Sequence, residues 1–159
     1  MSLFIIRRGK MTKIFEDEFM EVQSDMVSLC LEYIESKADN IYIYASNENN
    51  SLTFNVFFEI KGQIATTNEV NKILSSLNMK VDDSIERRRA ILKIGVQDLQ
   101  KIISICTKYN QPVPTEMKLV YNVNSNSLDA HYQYENIYSN TDKASYDIFS
   151  EWMQQIKNK

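Results

Sequence analysis

Glycine and proline are scarce in this chain, with three Gly and two Pro in 159 residues. So few glycines exclude a Gly-rich phosphate cradle and a dinucleotide-binding fingerprint. The single histidine, His131, reads as a surface residue on the polar side of a strand. It furnishes neither a zinc ligand set nor a nucleophilic triad. The two cysteines, Cys30 and Cys106, lie 76 positions apart inside predicted helices. That spacing makes no metal motif and no redox pair, so both read as buried free thiols in a reducing compartment. No apolar run approaches the roughly 20 residues needed to cross a bilayer. Leu3-Phe4-Ile5-Ile6 is too short for a signal-peptide core and precedes its positive charges instead of following them. The sequence therefore predicts a cytoplasmic protein with no membrane contact, no cofactor, no metal and no catalytic residue. Asp82-Asp83, in a loop ahead of a helix, is in the ordinary place for paired carboxylates.

What is present fits one domain with a real core: 43 % hydrophobic and 25 % charged residues. Met1–Lys10 holds three positive charges and no acid. Arg7-Arg8-Gly9-Lys10 can be encoded by a purine-rich stretch like a bacterial ribosome-binding site. Met11 is thus the expected start, residues 1–10 an upstream extension, and residues 11–159 the single domain. Abundant Asn, Ile and Lys suggest an AT-rich bacterial genome. From Met11 the charge is −6 and unevenly placed: residues 11–60 carry ten acids and two bases, and residues 61–108 nine bases and five acids. An acidic first third argues against nucleic acid as direct ligand and for a basic protein partner.

Hydrophobic spacing sets out the elements. Phe15, Phe19, Val22, Met26, Leu29 and Tyr33 recur at steps of three and four between Thr12 and Ser36, which predicts a one-faced helix. Asn40–Ala45 and Leu52–Glu59 alternate as strands, with Ser46–Ser51 as a polar turn, and Gln63–Thr66 is a possible third strand. Residues 68–83 read as a short helix or an irregular connection. A second long helix, Ser84–Tyr109, has the apolar seam Leu92, Val96, Leu99, Ile103 and Cys106. Gly95 inside it, costing about 1 kcal/mol against alanine, implies a close contact or a kink. Pro112 and Pro114 end it. Met117–Val123 and Leu128–Tyr134 form a second hairpin, and a last helix runs from Asp142 to Ile156. The expected fold class is α+β: an antiparallel sheet of four to five strands in two hairpins, packed on one face by three main helices.

The candidate site is a row of acids on the first helix. Glu18, Glu21, Asp25 and Glu32 follow the same steps as the seam, and no lysine or arginine lies between Lys13 and Lys37. Like charges at i,i+4 cost roughly 0.2–0.5 kcal/mol per pair, so the row suits a basic partner. Tyr42 and Tyr44, on one face of the first strand, are the expected aromatic anchors beside it. Arg87-Arg88-Arg89 point in three directions on a helix and make no single patch. The competing reading is a small-molecule-binding domain or small enzyme using the open sheet face, with Tyr132, His131 and Glu135 as first candidates.

Several stretches resemble the YezG-like immunity proteins of Gram-positive bacteria. Ile41-Tyr42-Ile43-Tyr44-Ala45 followed by Leu52–Phe58 is similar to that family's VYLYAEV…VYFYY hairpin. Pro114–Leu119 is similar to its PWTSLTL segment, with Thr115 where the family has tryptophan, and Leu128–Glu135 to its KIDFDYED strand end. The likeness covers Phe15 to Glu135. It implies a non-enzymatic antitoxin that binds and neutralises a cognate secreted toxin, often a nuclease, so the implied partner is a basic toxin or nuclease domain.

Overall fold

The computed structural model describes residues 14–159 and, before them, the backbone of two short paired strands, β1 (Ile6–Arg7) and β2 (Lys10–Met11). The expected start at Met11, with an extension over residues 1–10, falls largely outside the described residues. Helix α1 (Phe15–Ile34) turns its Phe19–Val22–Met26–Cys30–Tyr33 stripe inward. It closes without glycine: Glu35 and Ser36 adopt positive φ, and the Ser36 amide donates back to the Leu31 carbonyl.

β3 (Asn40–Glu48) and β4 (Ser51–Ile60) form a longer hairpin than the alternation implied. The ladder runs to Glu48 opposite Ser51, so Ser46, Asn47 and Glu48 are strand and not turn. Asn49-Asn50, both at positive φ, suffices as a two-residue turn whose twist matches that of the strands. Lys61-Gly62 does the same between β4 and β5 (Gln63–Thr66). The ambiguous stretch holds α2 (Val70–Ser76).

α3 (Ile85–Lys108) starts at Ser84, whose hydroxyl accepts from the Arg87 amide at 3.3 Å. Its buried face is Ile91, Gly95, Asp98, Leu99, Ile102 and Cys106. The expected seam holds at Leu99 and Cys106, with Val96 packed at its edge, but Leu92 is 39 % exposed and Ile103 only half-buried. The reason is Gly95, which sits on Phe54 and turns the helix so that Ile91 and Ile102 point inward. β6 (Glu116–Asn122), β7 (Ser127–Gln133) and α4 (Ser145–Lys157) follow.

The sheet is antiparallel, ordered β5-β4-β3-β6-β7, and the fold is a single α+β domain. Ile41, Ile43, Ala45, Phe54, Val56, Phe58, Met117 and Leu119 face α1 and α3 in the main core. α4 corrects the expectation that all the helices share one face. It lies on the opposite side, where Phe149 and Trp152 cover Tyr42, Tyr44 and Phe57. An aromatic sheet face of that size is costly to leave in water, and the amphipathic α4 covers it. Among the described residues no helix is long and apolar enough to cross a membrane.

Candidate functional site

The acidic row divides when α3 packs against α1. Glu18 turns toward α3, where both its oxygens accept from Lys108 Nζ at 3.1 and 3.2 Å and the Tyr109 hydroxyl donates to Oε2. These bonds hold the Lys108 ammonium above its ordinary pKa. Glu21, Asp25 and Glu32 are exposed on the outer surface. Glu18, Glu21 and Asp25 form one wall of a groove of about 570 Å³; Gln97, Gln100, Lys101 and Ser104 of α3 form the other, with Val22 and Ile105 also lining it. The cations missing from the α1 sequence are thus supplied by α3. Beside the groove Asp98 is buried, 4 % exposed. Burial raises its pKa, Lys101 at 3.7 Å opposes the rise, and Asp25 adds to it.

Tyr42 and Tyr44 are not surface anchors, which corrects the expectation placed on them. Tyr42 stacks on Phe57 with centroids 4.5 Å apart and meets the edge of Trp152. Tyr44 is fully buried and donates to Glu116 Oε2 at 3.0 Å. Both lie under α4, because alternation tells which residues share a face but not which face a distant helix will cover.

α4 is held there by a polar lock that the sequence reading missed. Glu48 is 2 % exposed. It accepts from the amides of Ile137 (2.7 Å), Tyr138 (3.3 Å) and Ser139 (3.0 Å), and from the Ser139 hydroxyl. Burial pushes its carboxyl up, but these bonds outweigh it and hold the group below its ordinary value. Beside it, Ser46 Oγ meets Thr53 Oγ1 at 2.9 Å, the Tyr138 hydroxyl at 2.9 Å and Ser145 Oγ at 3.2 Å. The alternation pattern places Ser46 and Glu48 in a turn, and only the length of the β3–β4 ladder makes them strand residues.

A second groove, about 680 Å³, crosses the sheet beside the C-terminal half of α4. Tyr42, Val120, Trp152 and Ile156 supply apolar lining, and Glu59, Lys118, Asp129, His131 and Lys157 are charged or titratable groups along it. Lys118 Nζ lies 5.4 Å from the Trp152 ring centre. His131 Nε2 is 3.0 Å from Asp129 Oδ2, with the side chains 67 % and 73 % exposed. The other two residues suggested for this face lie elsewhere. Tyr132 points into the opposite core and donates to Gln23 Oε1 at 2.7 Å. Exposed Glu135 accepts through its backbone carbonyl from Thr115 Oγ1. Arg87 and Arg88 donate to the Asp82 and Asp83 carbonyls and form no joint patch.

Compared with models of known protein families and with curated proteins, the chain matches none.

Proposed function

We propose that this chain is an immunity protein that binds and neutralises a basic toxin domain, of the nuclease class, through the α1 flank of the α1–α3 groove. The observation that carries the reading is the groove itself. The carboxylates of Glu21 and Asp25, next to the Lys108-paired Glu18, line it together with the amides of Gln97 and Gln100, the hydroxyl of Ser104, and Val22 and Ile105. Such a trough of acceptors on an apolar floor suits an arginine or lysine side chain, whose stem packs while its head is paired. Lys101 on the far wall leaves the negative charge concentrated on α1, with Glu32 extending it along the helix. A nuclease surface that grips phosphate is basic, so the long-range field steers the two together. The motif likeness over Phe15 to Glu135 points the same way. Tyr42 and Tyr44 have no part in this docking.

Affinity capture of the tagged chain from its native cells, followed by co-expression of whatever is retained, tests the reading. A stoichiometric basic protein whose toxicity is relieved by this chain is the expected result. A retained protein whose activity is unaffected, or none while the toxin gene is expressed, overturns it.

A second reading, a small-molecule-binding domain or small enzyme, has one observation in its favour: the aromatic-lined groove beside α4. A ligand that raises the thermal midpoint of the wild type and not of Lys118→Ala supports it.

A further inference from the structure

β7 ends the sheet, and among the described residues no strand lies on its outer side. The direction of its backbone groups follows from its neighbours. The Asn47 amide donates to the Thr115 carbonyl at 2.8 Å and the Val123 amide to the Asp39 carbonyl at 2.9 Å. The odd residues of β6 therefore bond to β3, and Glu116, Lys118, Val120 and Asn122 bond outward to β7. In the β6–β7 register these stand opposite Gln133, His131, Asp129 and Ser127. The N–H and C=O groups of Leu128, Ala130 and Tyr132 consequently point away from the sheet, in a row without a strand partner.

We infer that this edge pairs with the same edge of a second copy of the chain, antiparallel about a two-fold axis at Ala130, joining two five-strand sheets into one. In that register Ala130 meets Ala130 and Leu128 meets Tyr132, each exchanging both backbone bonds. Asp129 falls opposite His131 of the second copy, and His131 opposite its Asp129, in the pair type where side chains approach most closely. Both side chains are already strongly exposed. Side-chain complementarity selects this axis over its neighbours. Shifting it one residue sets Asp129 against Asp129 on one side or His131 against His131 on the other. The opposite face agrees. The flank of α1 nearest β7 presents Met20, 46 % exposed, with Ser24, Ser28 and Leu31 beside Leu128. That shallow groove of about 340 Å³ has no charged residue in its lining, so two such flanks can approach without burying a charge. The carboxylate wall lies on the other flank of α1, so self-pairing leaves the α1–α3 groove uncovered. The inference is independent of the proposed function.

Sedimentation equilibrium of the full chain tests it, with four variants. The wild type is expected to form a dimer. Ala130→Pro removes the central outward N–H, a change that an edge strand tolerates, and gives a monomer with unchanged circular dichroism. Asp129→His and His131→Asp, singly, each oppose like groups and weaken the dimer about tenfold. The exchange variant carrying both restores it. A wild type that stays monomeric up to its solubility limit overturns the inference, including the case where the edge binds a strand of some other protein. So does a dimer that neither the proline nor the single substitutions disturb.

Discussion

Gly95 of α3 lies directly on the ring of Phe54 in β4: a Cβ built on Gly95 would be 2.2 Å from the ring carbons. This contact seats the helix on the sheet and fixes which of its residues are buried. Gly95→Ala gains helix propensity, about 1 kcal/mol, yet must push the ring or the helix away, at about 1–3 kcal/mol and more if neither yields. Urea denaturation is expected to show a net loss of about 1–2 kcal/mol. A stabilised variant would contradict the contact. Because the two residues share one space, Gly95→Ala and Phe54→Leu should be strongly non-additive in a double-mutant cycle.

Glu48 fastens the segment before α4 to the end of β3. Glu48→Gln keeps the shape but cannot accept from three amides and a hydroxyl, and a loss of about 1–3 kcal/mol is expected. Because the folded-state pKa is lowered, the carboxylate's contribution is complete above the ordinary glutamate value and is lost as pH falls through the lowered one. The gap between wild type and variant should therefore close in acid. Fluorescence of Trp152, the only tryptophan, reports the release of α4; an equal gap at neutral and acid pH would refute this role.

Asp98 behaves with the opposite sign. Burial raises its pKa, so its charged form opposes folding. That cost is absent below the ordinary aspartate value and complete above the raised one. Asp98→Asn is expected to raise the thermal midpoint at neutral pH and to leave it unchanged in acid. A lower midpoint at neutral pH would mean that the Asp98–Lys101 pair outweighs the desolvation.

Much of the fold was legible because it rests on local periodicity. The α1 stripe, the approximate span of α3, both hairpins and the short β5 all follow from spacing and turn residues. What was not legible depends on contacts between distant residues. Leu92 looked like seam because Gly95 carries no apolar signal, although its lack of a side chain is what admits Phe54. Tyr42 and Tyr44 looked like an exposed face because nothing within β3 reveals that Phe149 and Trp152 will cover them. The α1 carboxylates looked unopposed because Lys101 and Lys108 are remote in sequence. Three of the four expected acids remain exposed, and Glu18 is held by α3.

The measurement that tests the account most directly is the association rate of the captured basic partner with wild type and with Glu21→Lys/Asp25→Lys, across a range of salt concentrations. Both side chains are exposed, and because Asp25 disfavours the charged form of buried Asp98, the variant's thermal midpoint is expected to be no lower than that of wild type. The account predicts that reversal slows association by at least about tenfold at low salt, flattens the salt dependence and weakens protection of cells. An equal rate, an equal salt slope and full protection at physiological salt would contradict it.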